Sequence, residues 1–120
     1  MQRFEHAVED LEDALQSPPR LQRSWGYIVR QRTAQVADAL TAESPVAIDS
    51  WLAARAGHLE RERNLLLTRL SVLGSLLGES PDIEQVRESL RRLVRDVRHH
   101  HQRVNDMAYD ELALDVGGSE

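Results

Sequence analysis

The residues of this chain best suited to chemistry are its five histidines, His6, His58, His99, His100 and His101, together with Glu62. An imidazole changes charge near neutrality and can ligate a metal through either ring nitrogen, and a nearby carboxylate can orient or share that role. His58 and Glu62 stand four residues apart, so a helix places them on one face. His100 stands three residues after Val97 and four before Val104, and His101 four after and three before, so either can turn toward a helical core.

Other reactive side chains are absent or lack company. The chain has no cysteine, which removes disulfides, thiolate nucleophiles and thiolate-held metals. All 15 basic residues are arginine, so no Schiff-base lysine or phosphate-loop lysine exists. Ser50, Ser71 and Ser75 sit in no nucleophile-elbow sequence, and no glycine-rich phosphate loop accompanies them. The neighbouring acids Glu60 and Glu62, or Asp110 and Glu111, read as ordinary helix-surface charge.

The elements that must position the histidines follow from three Ser-Pro pairs, Ser17-Pro18, Ser44-Pro45 and Ser80-Pro81. A serine hydroxyl caps a free N–H of a first helical turn, and proline suits the next position, where its missing N–H costs nothing. Each pair is read as one helix ending and the next beginning, with Gly78 as a further stop signal. Four segments with helical periodicity result, over about 3–16, 18–41, 45 or 49 to 77, and 81–114. With 120 residues and 41% hydrophobic content there is one domain with one core, and 4% aromatics make that core aliphatic.

Reflecting positions about the loops estimates which residues share a level. A turn near residues 79 and 80 puts His58 level with His101, and a turn near residue 45 puts Arg32 and Thr33 at the same height. A hairpin about residue 18 adds Phe4, Glu5 and His6. The expectation is a polar layer containing His58, Glu62, His100 or His101, and one of Glu5, His6 or Glu9. Such a layer is either a hydrogen-bonded device that sets helix register, with Glu62 or Arg32 satisfying an imidazole, or a divalent metal site between facing helices. The spacing His58-x-x-x-Glu62 is similar to one fragment of the hemerythrin-like pattern. That family's other His pairs and its His–Asp combination are missing here, and Asp96-x-x-His99 only approximates a di-iron Glu-x-x-His, so membership of neither family follows.

Two further features concern surfaces. Leu65, Leu66, Leu67, Leu70, Leu73, Leu76 and Leu77 cover more of the third helix than one core stripe needs, which points to self-association, most simply as a two-fold dimer. Arg87, Arg91, Arg95 and Arg98 fall three or four apart and form a guanidinium stripe suited to an acidic protein partner. Glu9, Glu12 and Asp13 of the first helix would face Arg20, Arg23 and Arg30 of the second. Net charge of −5 and the lack of aromatics within the stripe argue against nucleic acid as the main partner. The longest apolar stretch, 65–78, contains Arg69 and is too short to span a bilayer, and the N-terminus shows no signal-like run.

The expected fold is therefore all-α, an antiparallel up-down bundle of three long helices and one short N-terminal helix. It occupies residues 1–114, followed by a flexible tail over 115–120. The expected function is that of a non-enzymatic interaction or scaffold protein, homodimeric, cytoplasmic, and working without membrane or obligatory cofactor. The alternative is a metal-binding bundle using His58, Glu62, His100, His101 and His6. A third reading is a weak nucleic-acid binder acting through the Arg stripe.

Overall fold

In a computed structural model, which describes residues 2–16, 22–43, 52–78 and 82–118, the periodic segments become four helices. They are α1 (Gln2–Gln16), α2 (Gln22–Ala42), α3 (Ala53–Leu76) and α4 (Ile83–Gly118). No strand occurs among the described residues. α1 packs against α2 and α4, α2 against α3, and α3 against α4, so the helices surround one axis. No helix among the described residues is long and apolar enough to cross a membrane.

Capping explains where α4 begins. Asp82 Oδ1 accepts the backbone N–H of Gln85 at 3.1 Å, which makes Asp82 the N-cap. The Ser-Pro pairs, the start proposed for the third helix, and the side chains of Arg20 and Arg23 lie outside the described residues. At its other end α4 is helical through Gly118, past the boundary suggested at residue 114.

Each helix buries a stripe of apolar residues, although Ile28 of α2 and Leu112 of α4, which fit the periodicity, stay exposed. Phe4, Val8, Leu11 and Leu15 of α1 meet Val29, Val36 and Leu40 of α2, Leu66 and Leu70 of α3, and Leu90, Leu93 and Val97 of α4. Each such side chain contributes about 1.5–3 kcal/mol relative to exposure. Trp25 sits in the same cluster and donates its indole N–H to the carbonyl of Ala14, 3.1 Å away, tying α2 to α1.

A second, smaller apolar cluster joins Ala56 and Leu59 of α3 to Met107 of α4, with Val104 packed against it. It arises because α4 has 36 residues and α1 only 15, so α1 accompanies α4 over less than half its length. On α4 the buried positions run Leu93, Val97, His100 and Met107, the spacing of one helical seam. Between Val97 and Met107 that seam is interrupted by a histidine.

Candidate functional site: a buried histidine between two carboxylates

His100 is fully buried, with 0% of its surface exposed, at the level between the two apolar clusters. Its Nδ1 lies 2.7 Å from Glu62 Oε1 on α3, and its Nε2 lies 2.6 Å from Glu43 Oε1, just past the end of α2. A carboxylate oxygen can only accept, so each ring nitrogen donates and the ring is an imidazolium. Burial opposes that charge, but the hydrogen bonds to Glu43 and Glu62 and their attraction outweigh it, and the His100 pKa is raised above its ordinary 6.5.

The carboxylates are held in turn. Burial would raise the Glu43 pKa, yet hydrogen bonds from His100 and His101 bring it below 4.5. Burial likewise opposes ionisation of Glu62, and hydrogen bonds from Arg103 and His100 lower its pKa below 4.5. Arg103 donates from Nη2 and Nε to Glu62 Oε1 at 2.6 and 3.1 Å, and His101 Nδ1 lies 3.0 Å from Glu43 Oε2. Two carboxylates thus face the His100 imidazolium, the His101 ring and the Arg103 guanidinium.

Local sequence explains how Glu43 gets there. Its backbone N–H closes the last turn of α2 on the carbonyls of Ala39 and Leu40, and its own carbonyl accepts from the Arg63 guanidinium of α3. With the main chain fixed on one side, the side chain turns inward onto α4. α1 joins through Phe4, whose ring stacks on that of His101 with centroids 3.9 Å apart and planes 12° from parallel. All four helices or their ends meet at this level.

Of the histidine and carboxylate candidates, Glu62, His100 and His101 are brought together, and Phe4 joins them from α1, beside Ala39 and Glu43 and not at the level of Arg32 that a hairpin about residue 18 gives. His6 and His58 are not brought in. The His58 side chain is 67% exposed, with its Nε2 4.0 Å from Glu62 Oε2, the limit of an ion pair. His6 is exposed and lines a groove between α1 and α2 with Arg3, Asp10 and Asp38. Arg32 does not serve the imidazole either, because it donates to Gln35 on its own helix, and Thr33 donates to the carbonyl of Val29. Among the described residues no three His, Asp or Glu side chains form a group that could hold a metal ion.

The arginine stripe divides by use. Arg87 is mostly buried and donates to the carbonyls of Leu15 and Gln16 at 2.6 and 3.2 Å, satisfying the C-terminal end of α1. Arg98 pairs with Glu12 of α1. Only Arg91 and Arg95 stay exposed without a partner among the described residues. Of the groups expected to join α1 and α2, Glu12 thus meets α4, and Arg30 reaches the carbonyl of Gly74 on α3.

The α3 leucines divide as well. Leu66, Leu70 and Leu77 are core, and Leu67 and Leu73 pack partly buried against it, a division the sequence alone does not make. Leu65 and Leu76 remain 68% and 38% exposed, and Val72 between them is 54% exposed. Comparison with protein-family models, curated proteins and solved structures found no match.

Proposed function

We propose that the chain is a non-enzymatic interaction or scaffold protein built as an antiparallel up-down bundle of three long helices and one short N-terminal helix. It self-associates as a homodimer through the outer face of α3. The observation that carries this reading is the set of exposed apolar side chains Leu65, Val72 and Leu76, spaced seven and four residues apart on one line of α3. A second copy presents the same line, so a two-fold pairing buries it on both sides. Three side chains supply only part of the roughly 800 Å² per partner of a standard interface, so the dimer dissociates on dilution.

The buried layer supports the non-enzymatic part of this reading. Both ring nitrogens of His100 already donate to carboxylates, which leaves neither lone pair for a base or a ligand. Its role is to hold the ends and middles of the helices at one level, with the surface left to bind partners.

Sedimentation equilibrium over a hundredfold range of concentration tests the proposal. The mass should rise from 13.7 kDa toward twice that value. The pair Leu65→Glu and Val72→Glu, at exposed positions, should stay folded and remain at the lower mass. A monomer at every concentration, or a dimer unchanged by the two charges, would contradict it.

A further inference from the structure

Beside the buried layer lies a cavity of about 270 Å³ that the self-association reading does not use. It sits where the start of α1, the end of α2 and α4 meet. Ala39 lies on its α2 side, and Phe4, Ala42 and Val104 supply the rest of its apolar wall. Its polar margin is made by Arg3, His101 and Asn105.

Those polar groups are underused. Arg3 and Asn105 have no hydrogen-bonding or ionic partner among the described residues. His101 gives its Nδ1 to Glu43, while its Nε2 is buried with no hydrogen-bond partner. Glu43 also reaches the cavity, but its two oxygens accept from His100 and His101, so its charge is already compensated. The uncompensated charge at the margin is the Arg3 guanidinium. An apolar hollow with a few convergent polar groups is the ordinary form of a small-molecule site.

We propose that this cavity binds a small hydrophobic carboxylate, its apolar body against Phe4, Ala39 and Val104 and its carboxylate on Arg3 and Asn105. Guanidinium and amide donors together suit a carboxylate's two oxygens. At about 30 Å³ per water in the liquid, the volume corresponds to roughly nine non-hydrogen atoms, the size of benzoate. The site is independent of the α3 face, so either proposal can fail without the other.

Titration of the full chain with benzoate, benzylamine and benzyl alcohol, followed by backbone amide shifts in proton–nitrogen correlation spectra, tests it. Benzoate should bind saturably in the millimolar range, with shifts centred on Phe4, Ala39, His101 and Asn105. Benzyl alcohol should bind more weakly, and benzylamine, close in size and opposite in charge, should not saturate. Arg3→Gln, at an exposed position, should weaken benzoate roughly tenfold while leaving benzyl alcohol unchanged. Ala39→Leu should fill the hollow and abolish binding at unchanged melting temperature. Absence of saturation at about 20 mM benzoate, equal binding of benzylamine, or benzoate affinity unchanged in Arg3→Gln would each overturn the assignment.

Discussion

Replacing His100 by leucine keeps an apolar side chain in the seam but removes the cation between Glu43 and Glu62. Two charge-assisted hydrogen bonds, at 2.6 and 2.7 Å, are lost, and each carboxylate keeps only its other partner, His101 or Arg103. Hydrogen bonds to charged groups contribute about 1.5–3 kcal/mol each, and breaking a buried pair from one side costs about 3–5 kcal/mol. The expected loss at pH 6 is about 3–5 kcal/mol, a fall of about 12–20 °C in melting temperature at about 4 °C per kcal/mol. The loss must also depend on pH with a defined sign. Because the folded pKa of His100 is raised above 6.5, its contribution is complete below 6.5 and fades as pH rises through the folded value. Because those of Glu43 and Glu62 lie below 4.5, their contributions are present above 4.5 and fade as pH falls through the folded values. Urea unfolding of wild type and His100→Leu from pH 4 to 10 should show the gap widest between about 4.5 and 6.5 and narrowing on the alkaline side. A gap below about 1 kcal/mol at pH 6, or one that is flat or grows toward pH 10, would refute the reasoning.

Further substitutions address the framework. Arg87→Ala should cost about 1–2 kcal/mol and lower amide-exchange protection in the last turn of α1, because it removes the donors to Leu15 and Gln16; a loss with no change in α1 would contradict that role. Asp82→Ala should cost about 1 kcal/mol by urea denaturation through loss of the α4 cap, with Asp82→Asn recovering most of it. Leu70→Ala should cost about 2–5 kcal/mol while Leu65→Ala stays within about 0.5 kcal/mol, and similar losses at both positions would contradict the division of α3 into core and surface faces.

Much of the helix content was legible from periodicity, because the buried residues of α1 and α4 recur every three or four positions as an apolar stripe must. The level of the site was legible in part. Glu62, His100 and His101 meet within about one turn of the level set by the reflection about residues 79 and 80, whereas the reflection about residue 18 pairs Phe4 with Arg32 and the structure puts it beside Ala39, Ala42 and Glu43. The sequence does not flag Glu43, because a turn near residue 45 puts Arg32, and not Glu43, level with the histidines. In the structure Arg30 meets Gly74 and Arg63 meets the carbonyl of Glu43, so the level of Glu62 falls at the end of α2 and not at Arg32. A longer connection between α2 and α3 carries that shift, and only its length, not its residue types, could have signalled it. The leucine excess on α3 overstated the free surface because that helix is flanked by both α2 and α4, and a helix with two neighbours needs a wider apolar arc than one stripe.

The buried layer also illustrates why a histidine at a core position need not be a ligand. His100 stands where the seam calls for an aliphatic residue, and a lone polar group there would be destabilising. Partners from two elements, Glu43 at the end of α2 and Glu62 on α3, make it tolerable, and with His100 they fix the relative levels of α2, α3 and α4. A charged layer between two apolar clusters accepts one register, whereas sliding either helix by a turn would leave an unpaired charge in the core.

The claim at the centre of this account is that His100 is a closed imidazolium clasp, and its ring nitrogens report on that directly. A long-range proton–nitrogen correlation spectrum of the imidazoles at pH 6, with zinc then added to the same sample, is the measurement. Both His100 nitrogens should appear protonated and slow to exchange, with no shift on adding zinc. A single protonated nitrogen, or a His100 resonance that moves stoichiometrically with zinc, would contradict the clasp and make the layer a ligand site.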